Sequence, residues 1–435
     1  MQGTVPAPLK CAVQMDTLGR DCYKCNTGLY WYRDSCAVPP LGMIDDIAGI
    51  AECKDDSIVL NAIVNAKIES KKLQFNLTKC VNMHIGPNKE NCQHLRIHET
   101  QMLRTDTQKY LGDLISSSGN CDENIKDRCK TGFKAISQMK SLVREVSLGR
   151  ISIQVGLIMR NSIFVSKMLL NSEVWHSVSK KQIEQLEVID RIVLRNTLGA
   201  HSKTGLEWIY TDTGKFNLRA LIQTRRLMYL WHLLSQDESE LIRRIYDTQK
   251  ISNSPGDLVR LIEADKKELE IKLSDEEIQC FLKEVFKRYV KSKVKINYLN
   301  YLNNLKKSHT KSRYLICTEM KQADYIEDSS LNTNEKQLLF RLRSQTLEVK
   351  QNFKGLNKNP WCISCGLFQE TQGHLLQCPE LVKHLYYLKG KTSKLNENFV
   401  YGSLHQMKMI VKIYSDIMEI RENLQNSKLV QTTND

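Results

Sequence analysis

Two groups of residues in this 435-residue sequence have the types and spacing to do chemistry. Near the C-terminus, Cys362-Ile-Ser-Cys365 is followed, after eight residues, by His374-Leu-Leu-Gln-Cys378. Two cysteines on a tight turn put their thiolates on one side, and a His and a Cys one helical turn apart complete a tetrahedron. Four protein ligands leave no open position, so the chemistry expected is structural Zn2+ binding, with the metal holding together a segment too short for its own core. The second group, Leu41-Gly-Met-Ile-Asp45-Asp46-Ile-Ala-Gly-Ile, sets two adjacent carboxylates between apolar runs. In a hairpin turn at least one of them reaches a divalent cation while the strands stay buried, although Asp is also an ordinary turn residue. Cys22-Tyr-Lys-Cys25 has no second pair to match it and reads as packing.

A third feature is electrostatic. From Lys283 to Arg313 the cations Lys287, Arg288, Lys291, Lys293, Lys295, Lys306 and Lys307, among others, face the single acid Glu284, with Tyr289, Tyr298 and Tyr301 interleaved. Cationic heads release counterions from phosphates and aromatic faces stack on unpaired bases, so the mixture suits a nucleic-acid track. It equally suits a solvated helix face whose tyrosines belong to the core. A formal net charge of +14 favours a polyanionic partner.

The elements that must position these groups change character along the chain. Residues 1–118 mix short apolar runs with one helix, expected over Asp55 to Lys72, and the alternation Leu73-Gln-Phe-Asn-Leu predicts a strand after it. From Cys121 the period becomes helical. Helices are predicted over 125–146, 151–175, 179–198 and 217–234, with Ser179 as N-cap and Gly199 as stop. Ile183, Leu186, Val188, Ile189, Ile192, Val193 and Leu198 form the apolar stripe of the third. The doubly charged stretch 237–280 reads as solvated helices or a connector. The class expected is α+β, divided into 1–118, a helical 119–245, a basic helical connector 246–350 and a zinc-binding segment with terminal helix 351–435. With 41% hydrophobic and 26% charged residues, 8 Pro and 20 Gly, a disordered tail or a fibrous repeat is excluded. The most apolar stretch, 151–175, is cut by Arg160 and Lys167, so no membrane partner is expected. The residues after Met1 supply neither a basic nor an apolar leader region, so the 14 cysteines are expected as reduced thiols or metal ligands in a nuclear or cytoplasmic setting.

Taken in order, Gln2-Gly-Thr-Val-Pro-Ala-Pro-Leu, Met43-Ile-Asp45-Asp46, the segment Leu73 to Lys79 ending Asn-Leu-Thr-Lys, and Tyr110-Leu111-Gly112 resemble the palm motifs B, C, D and E of reverse transcriptases. The likeness is to the non-LTR (LINE-type) retrotransposon group. Asn171-Ser-Glu-Val-Trp175 and the helix from Leu186 to Gly199 are similar to the helical thumb of those proteins, and Cys362 to Cys378 resembles their C-terminal CCHC zinc finger.

The resemblance implies RNA-directed DNA synthesis on an RNA template and a DNA primer or target. Asp45 and Asp46 would match the motif C aspartates that hold Mg2+ or Mn2+, and Gln2 and Gly3 the loop beside the incoming nucleotide. Lys79 would match the motif D proton donor, with a solvated strand-end lysine as the other reading. Tyr110, Leu111 and Gly112 would belong to the primer grip, or serve as hairpin packing. The departures are equally specific. Motif A, which supplies a further carboxylate, the fingers and an endonuclease domain have no counterpart in this sequence, so the pure chain is expected not to extend a primer by itself. Ile44 stands where the family usually has Ala, and the 57 residues after Cys378 lack the Pro-Asp-based carboxylates of the restriction-like nucleases of some relatives. The alternative expectation is a non-catalytic nucleic-acid-binding protein that uses thumb, basic tract and zinc finger.

Overall fold

The computed structural model describes residues 29–30, 37–38, 40–43, 46–86, 95–308, 315, 318–353, 359–385 and 397–432. Gln2, Gly3, Cys22, Cys25, Ile44 and Asp45 lie outside them. The architecture is α+β and mostly helical, the strands forming five separate two-stranded pairs among the described residues, four antiparallel and one parallel.

Two hairpins carry residues of the expected palm site. Strands β1 (Leu41–Met43) and β2 (Asp46–Ala48) pair antiparallel, with Met43 opposite Asp46. Helix α1 (Lys54–Ser70) comes next, with Asp55 and Asp56 in its first turn complementing its dipole. The strand expected over 73–77 is absent. Leu73 and Phe75 do pack beside Leu60 and Ile68 as period two requires, but no neighbouring chain supplies a ladder. The second hairpin joins β3 (Thr107–Tyr110) to β4 (Asp113–Ser116), with Tyr110 opposite Asp113. Its two turn residues, Leu111 at φ 45° and Gly112 at φ 90°, have the positive φ pair of a type I′ turn.

Helices α2 (Asp122–Gln138) and α3 (Lys140–Ser147) replace the single expected helix, which breaks at the buried Met139. The stretch 151–175 is likewise not one helix: α4 (Ile153–Met159) passes into a π-helical turn at Arg160–Val165, and the chain leaves helical geometry after Met168. A polar demand sits at that turn. Arg160 is buried and donates Nε to Asp190 Oδ1 and Nη2 to Asp190 Oδ2, both at 2.7 Å, and Nη2 also to the Phe216 carbonyl at 2.9 Å. Asp190 lies on α5 (Lys180–Leu198), the best specified helix of the chain. Ser179 and Gln182 form a reciprocal capping box at its start, and Gly199 at φ 58° ends it. Its stripe buries Leu186, Ile189, Val193 and Leu198, while Val188 falls off the apolar face and is exposed.

Helices α6 (Leu206–Thr213) and α7 (Leu218–Leu234) pack against α5, and α8 (Leu258–Glu268) and the 26-residue α9 (Lys283–Ser308) pack against α7. The charged stretch 237–280 does form helices, but it is not simply solvated. Asp265 of α8 is buried and takes Arg226 Nη1 at 2.6 Å and Gln223 Nε2 at 3.2 Å, because α8 lies against α7. Next come α10 (Thr333–Arg343), α11 (Gln372–Gln377), α12 (Pro379–His384) and α13 (Leu404–Thr432). Arg343 pairs with buried Asp212 of α6 at 3.0 Å, donates to the Val400 carbonyl at 2.7 Å and is ringed by Trp208, Tyr325 and Tyr401. One continuous apolar core contains Leu194, Trp208, Val290, Leu339, Cys362, Cys378 and Ile417, so it crosses the boundaries expected at 245 and 350.

Candidate metal centre and nucleic-acid interface

The four expected zinc ligands meet. Their ligand atoms, from Cys362, Cys365, His374 and Cys378, all lie within 4.8 Å of one another. Cys362 Sγ is 3.8 Å from Cys378 Sγ, and Cys365 Sγ is 3.4 Å from His374 Nε2. A tetrahedron with bonds of about 2.3 Å to sulfur and 2.0 Å to nitrogen places two sulfurs about 3.8 Å apart and a sulfur and a nitrogen about 3.5 Å apart. The cluster therefore fits a structural zinc ion, which would neutralise the thiolates and tie two segments together.

Local sequence builds this geometry. Cys362 N–H donates to the Phe368 carbonyl at 2.7 Å and Gly366 N–H to the Cys362 carbonyl at 2.8 Å, folding Cys362–Phe368 into a tight loop. Gly366 closes it at φ 69°, a left-handed conformation that glycine adopts without strain. Thr371 caps α11 by accepting from His374 N–H at 2.9 Å, which starts the helix that presents the imidazole. Cys378 occupies the N-cap position of α12, with Pro379 opening the helix after it. The Cys362 thiol is pushed down, first by its hydrogen bond with the Cys378 thiol and then, against burial, by peptide N–H groups of Cys365 and Ser364. A bound metal would displace the thiol protons of the pair.

One residue of this site carried no motif. Glu370 is fully buried, and its carboxylate accepts from Ile363 N–H at 2.9 Å, Lys350 N–H at 3.2 Å and Arg421 Nη2 at 2.7 Å. The sequence did hold a signal: Glu370 is the lone carboxylate between Glu348 and Glu380. A carboxylate isolated among apolar and basic neighbours, next to a ligand set, is a candidate to orient it.

Residues 283–308 of the basic tract form one long helix. Phe286, Val290, Val294, Tyr298 and Leu302 recur every four residues and are buried. For two of the three tyrosines the core reading holds: Tyr298 sits in the core against Tyr210 and Phe216, and Tyr289 packs on Phe286, whereas Tyr301 is exposed. The lysines divide into two sets. Lys293 Nζ donates to the Glu270 carbonyl at 3.1 Å and lies over the Tyr289 ring, and Lys306 Nζ donates to the Leu315 carbonyl, so both are engaged with the protein. Lys287, Lys291 and Lys295 succeed one another at four-residue spacing along one flank, with Arg288 and Lys307 exposed. Of these, Lys287 shares its charge with Glu284 at 3.2 Å.

The residues expected at a palm site are partly gathered. Tyr110 Oη donates to the Leu41 carbonyl at 3.3 Å, which brings the tip of the β3–β4 hairpin against β1, the strand that leads into Asp45-Asp46. Burial and the nearby Asp46 carboxylate push the Tyr110 phenol up. The tip is held from the other side. Arg128 Nη2 donates to the Gly112 carbonyl at 2.6 Å, and Asn171 Nδ2 to the Leu111 carbonyl at 3.3 Å and to Asp113 Oδ2 at 2.8 Å. A Cβ on Gly112 would lie 2.8 Å from Leu170 Cδ2. Asp46 is exposed at the start of β2, and no cluster of three or more His, Cys, Asp or Glu ligands among the described residues includes it. Lys79 is exposed in a turn two residues ahead of the short strand Val81–Asn82, as the strand-end reading has it. No helix among the described residues is long and apolar enough to cross a membrane. No protein-family model matches this chain, and no curated protein matches it.

Proposed function

We propose that this chain is a C-terminal portion of a non-LTR retrotransposon reverse transcriptase, with an incomplete palm, a helical thumb, a basic connector and a zinc-binding segment, acting on an RNA template and a DNA primer or target. The observation that carries the reading is the Tyr110 to Leu41 contact. The hairpin that carries Asp46 and, 64 residues on, Tyr110-Leu111-Gly112 meet there, as a nucleotidyl-transfer site needs when it holds a primer terminus beside metal-binding carboxylates. Asp45 and Asp46 would supply ligands for a divalent ion that activates the primer hydroxyl. Leu111 and Gly112, locked by Arg128 and Asn171, would present a rigid turn to the primer strand.

A second reading, nucleic-acid binding without catalysis, is favoured by the Lys287, Lys291 and Lys295 flank. Primer extension on an RNA template with Mg2+, beside an Asp45→Asn, Asp46→Asn control and a salt-titrated binding assay, separates the two. Extension that vanishes in the control supports the polymerase. Salt-sensitive binding without extension supports the second reading, and a chain that neither extends nor binds sinks both.

A further inference from the structure

We infer that metal occupancy of the Cys362, Cys365, His374, Cys378 cluster and docking of the C-terminal helix α13 are coupled through the buried Glu370–Arg421 pair. The inference rests on the zinc reading of that cluster and assigns two residues to it that are not ligands.

A buried carboxylate is tolerated only where charge and hydrogen bonds compensate it. Glu370 meets that condition with groups from three different segments. Oε2 accepts from the peptide of Ile363, which lies inside the Cys362–Cys365 loop. Oε1 accepts from the peptide of Lys350, ahead of that loop in sequence, and from the Arg421 guanidinium two-thirds of the way along α13. Arg421 is itself mostly buried. On α13, Ile410, Tyr414, Ile417 and Arg421 keep the four-three-four spacing of one helix face, and Tyr414 Oη donates to the Gln372 carbonyl at 2.8 Å, at the start of α11.

The coupling acts in both directions. Without the guanidinium, Glu370 is an uncompensated buried anion whose relief is to turn towards water, releasing Ile363 N–H and with it the conformation that aims Cys362 and Cys365. With the metal bound, that loop is fixed, the carboxylate is fixed, and Arg421 gains a permanent partner. Coupling between two such equilibria is reciprocal. Groups that orient ligands from behind typically contribute about 10- to 100-fold in metal affinity.

The test measures Zn2+ affinity of the full chain by competition with a chromophoric chelator, and protease protection of residues 404–432 with and without Zn2+. In Arg421→Met, affinity is expected to fall at least about tenfold and zinc-dependent protection of α13 to disappear, with partial rescue by Arg421→Lys. Glu370→Gln should do the same, and Glu370→Gln, Arg421→Met together should be no worse than either alone, because both break one link. Unchanged zinc affinity in Arg421→Met, or losses that add in the double variant, overturns the coupling while leaving the metal centre intact. A native chain that takes up no Zn2+ overturns the metal reading itself. Should Glu370→Gln fail to fold, Arg421→Met and Arg421→Lys decide the matter, since their changed atoms lie on α13 and touch no ligand.

Discussion

Replacing Lys287, Lys291 and Lys295 together by Ala should flatten the salt dependence of nucleic-acid binding by a calculable amount. The three side chains lie on one flank of α9 at four-residue intervals, a rise of about 6 Å per step. Lys291 is exposed and Lys295 partly so, while Lys287 shares its charge with Glu284, so the trio counts as between two and three phosphate contacts. Each contact on B-form duplex contributes about 0.9 to the slope of log affinity against log salt, so the slope should drop by about 1.8 to 2.7, or about 1.4 to 2.1 on single strands. From about 50 to 300 mM salt, the ratio of native to variant duplex affinity should shrink by about 25- to 125-fold. Fluorescence anisotropy with a labelled duplex and a labelled single strand of equal length reads this directly. Lys293→Met is the internal control, because its ammonium already serves the Glu270 carbonyl. An unchanged slope in the triple variant, or an equal change in the control, would refute the assignment of this flank.

Three further outcomes are expected. Cys378→Ser should abolish zinc uptake, measured by elemental analysis, and lower the melting temperature of the main helical transition as well, because Cys378 lies in the shared core; an intact main transition would argue for an independent finger. Arg160→Met should cost about 3–5 kcal/mol in urea unfolding by stranding buried Asp190, whereas Arg160→Met with Asp190→Leu should cost less than the single change; a larger loss in the pair would contradict the ion-pair account. His176 is held up at about 9 by its hydrogen bond to Cys121, helped by the Gly119 carbonyl and opposed by partial burial. Its folded value lies above the ordinary 6.5, so it adds stability that is full below pH 6.5 and fades as pH rises to about 9. His176→Gln should therefore flatten the thermal-stability profile across that window, and a profile as steep as that of the native chain would remove His176 as its cause.

What sequence discloses here is what local chemistry determines. The zinc ligands were legible because four side chains of fixed valence at fixed spacing admit few alternatives, and α5 because Ser179, Gln182 and Gly199 mark both ends in the chain itself. Breaks within elements were not legible. The π-helical turn at Arg160 answers to Asp190 and to a carbonyl 56 residues on, and the split at Met139 answers to packing against α5; neither partner can be read from neighbouring residues. The strand expected over 73–77 shows the same division, since alternation fixed which side chains face α1 but not whether a ladder partner exists. Tyr298 looked available for stacking because composition reports that a ring is present, not which way a helix turns it. Glu370 and Arg421, 51 residues apart, were paired only by the folded chain.

The shared core also sets an order of events during synthesis. Leu194 and Trp208 belong to the same core as Cys378 and Ile417, residues made more than 150 positions later. At about 5–20 residues per second, the residues that complete this core follow on the order of 10–45 s behind. Products that stop before α13 would lack Ile410, Tyr414 and Ile417 of that core. The core is thus complete only once α13 has been made.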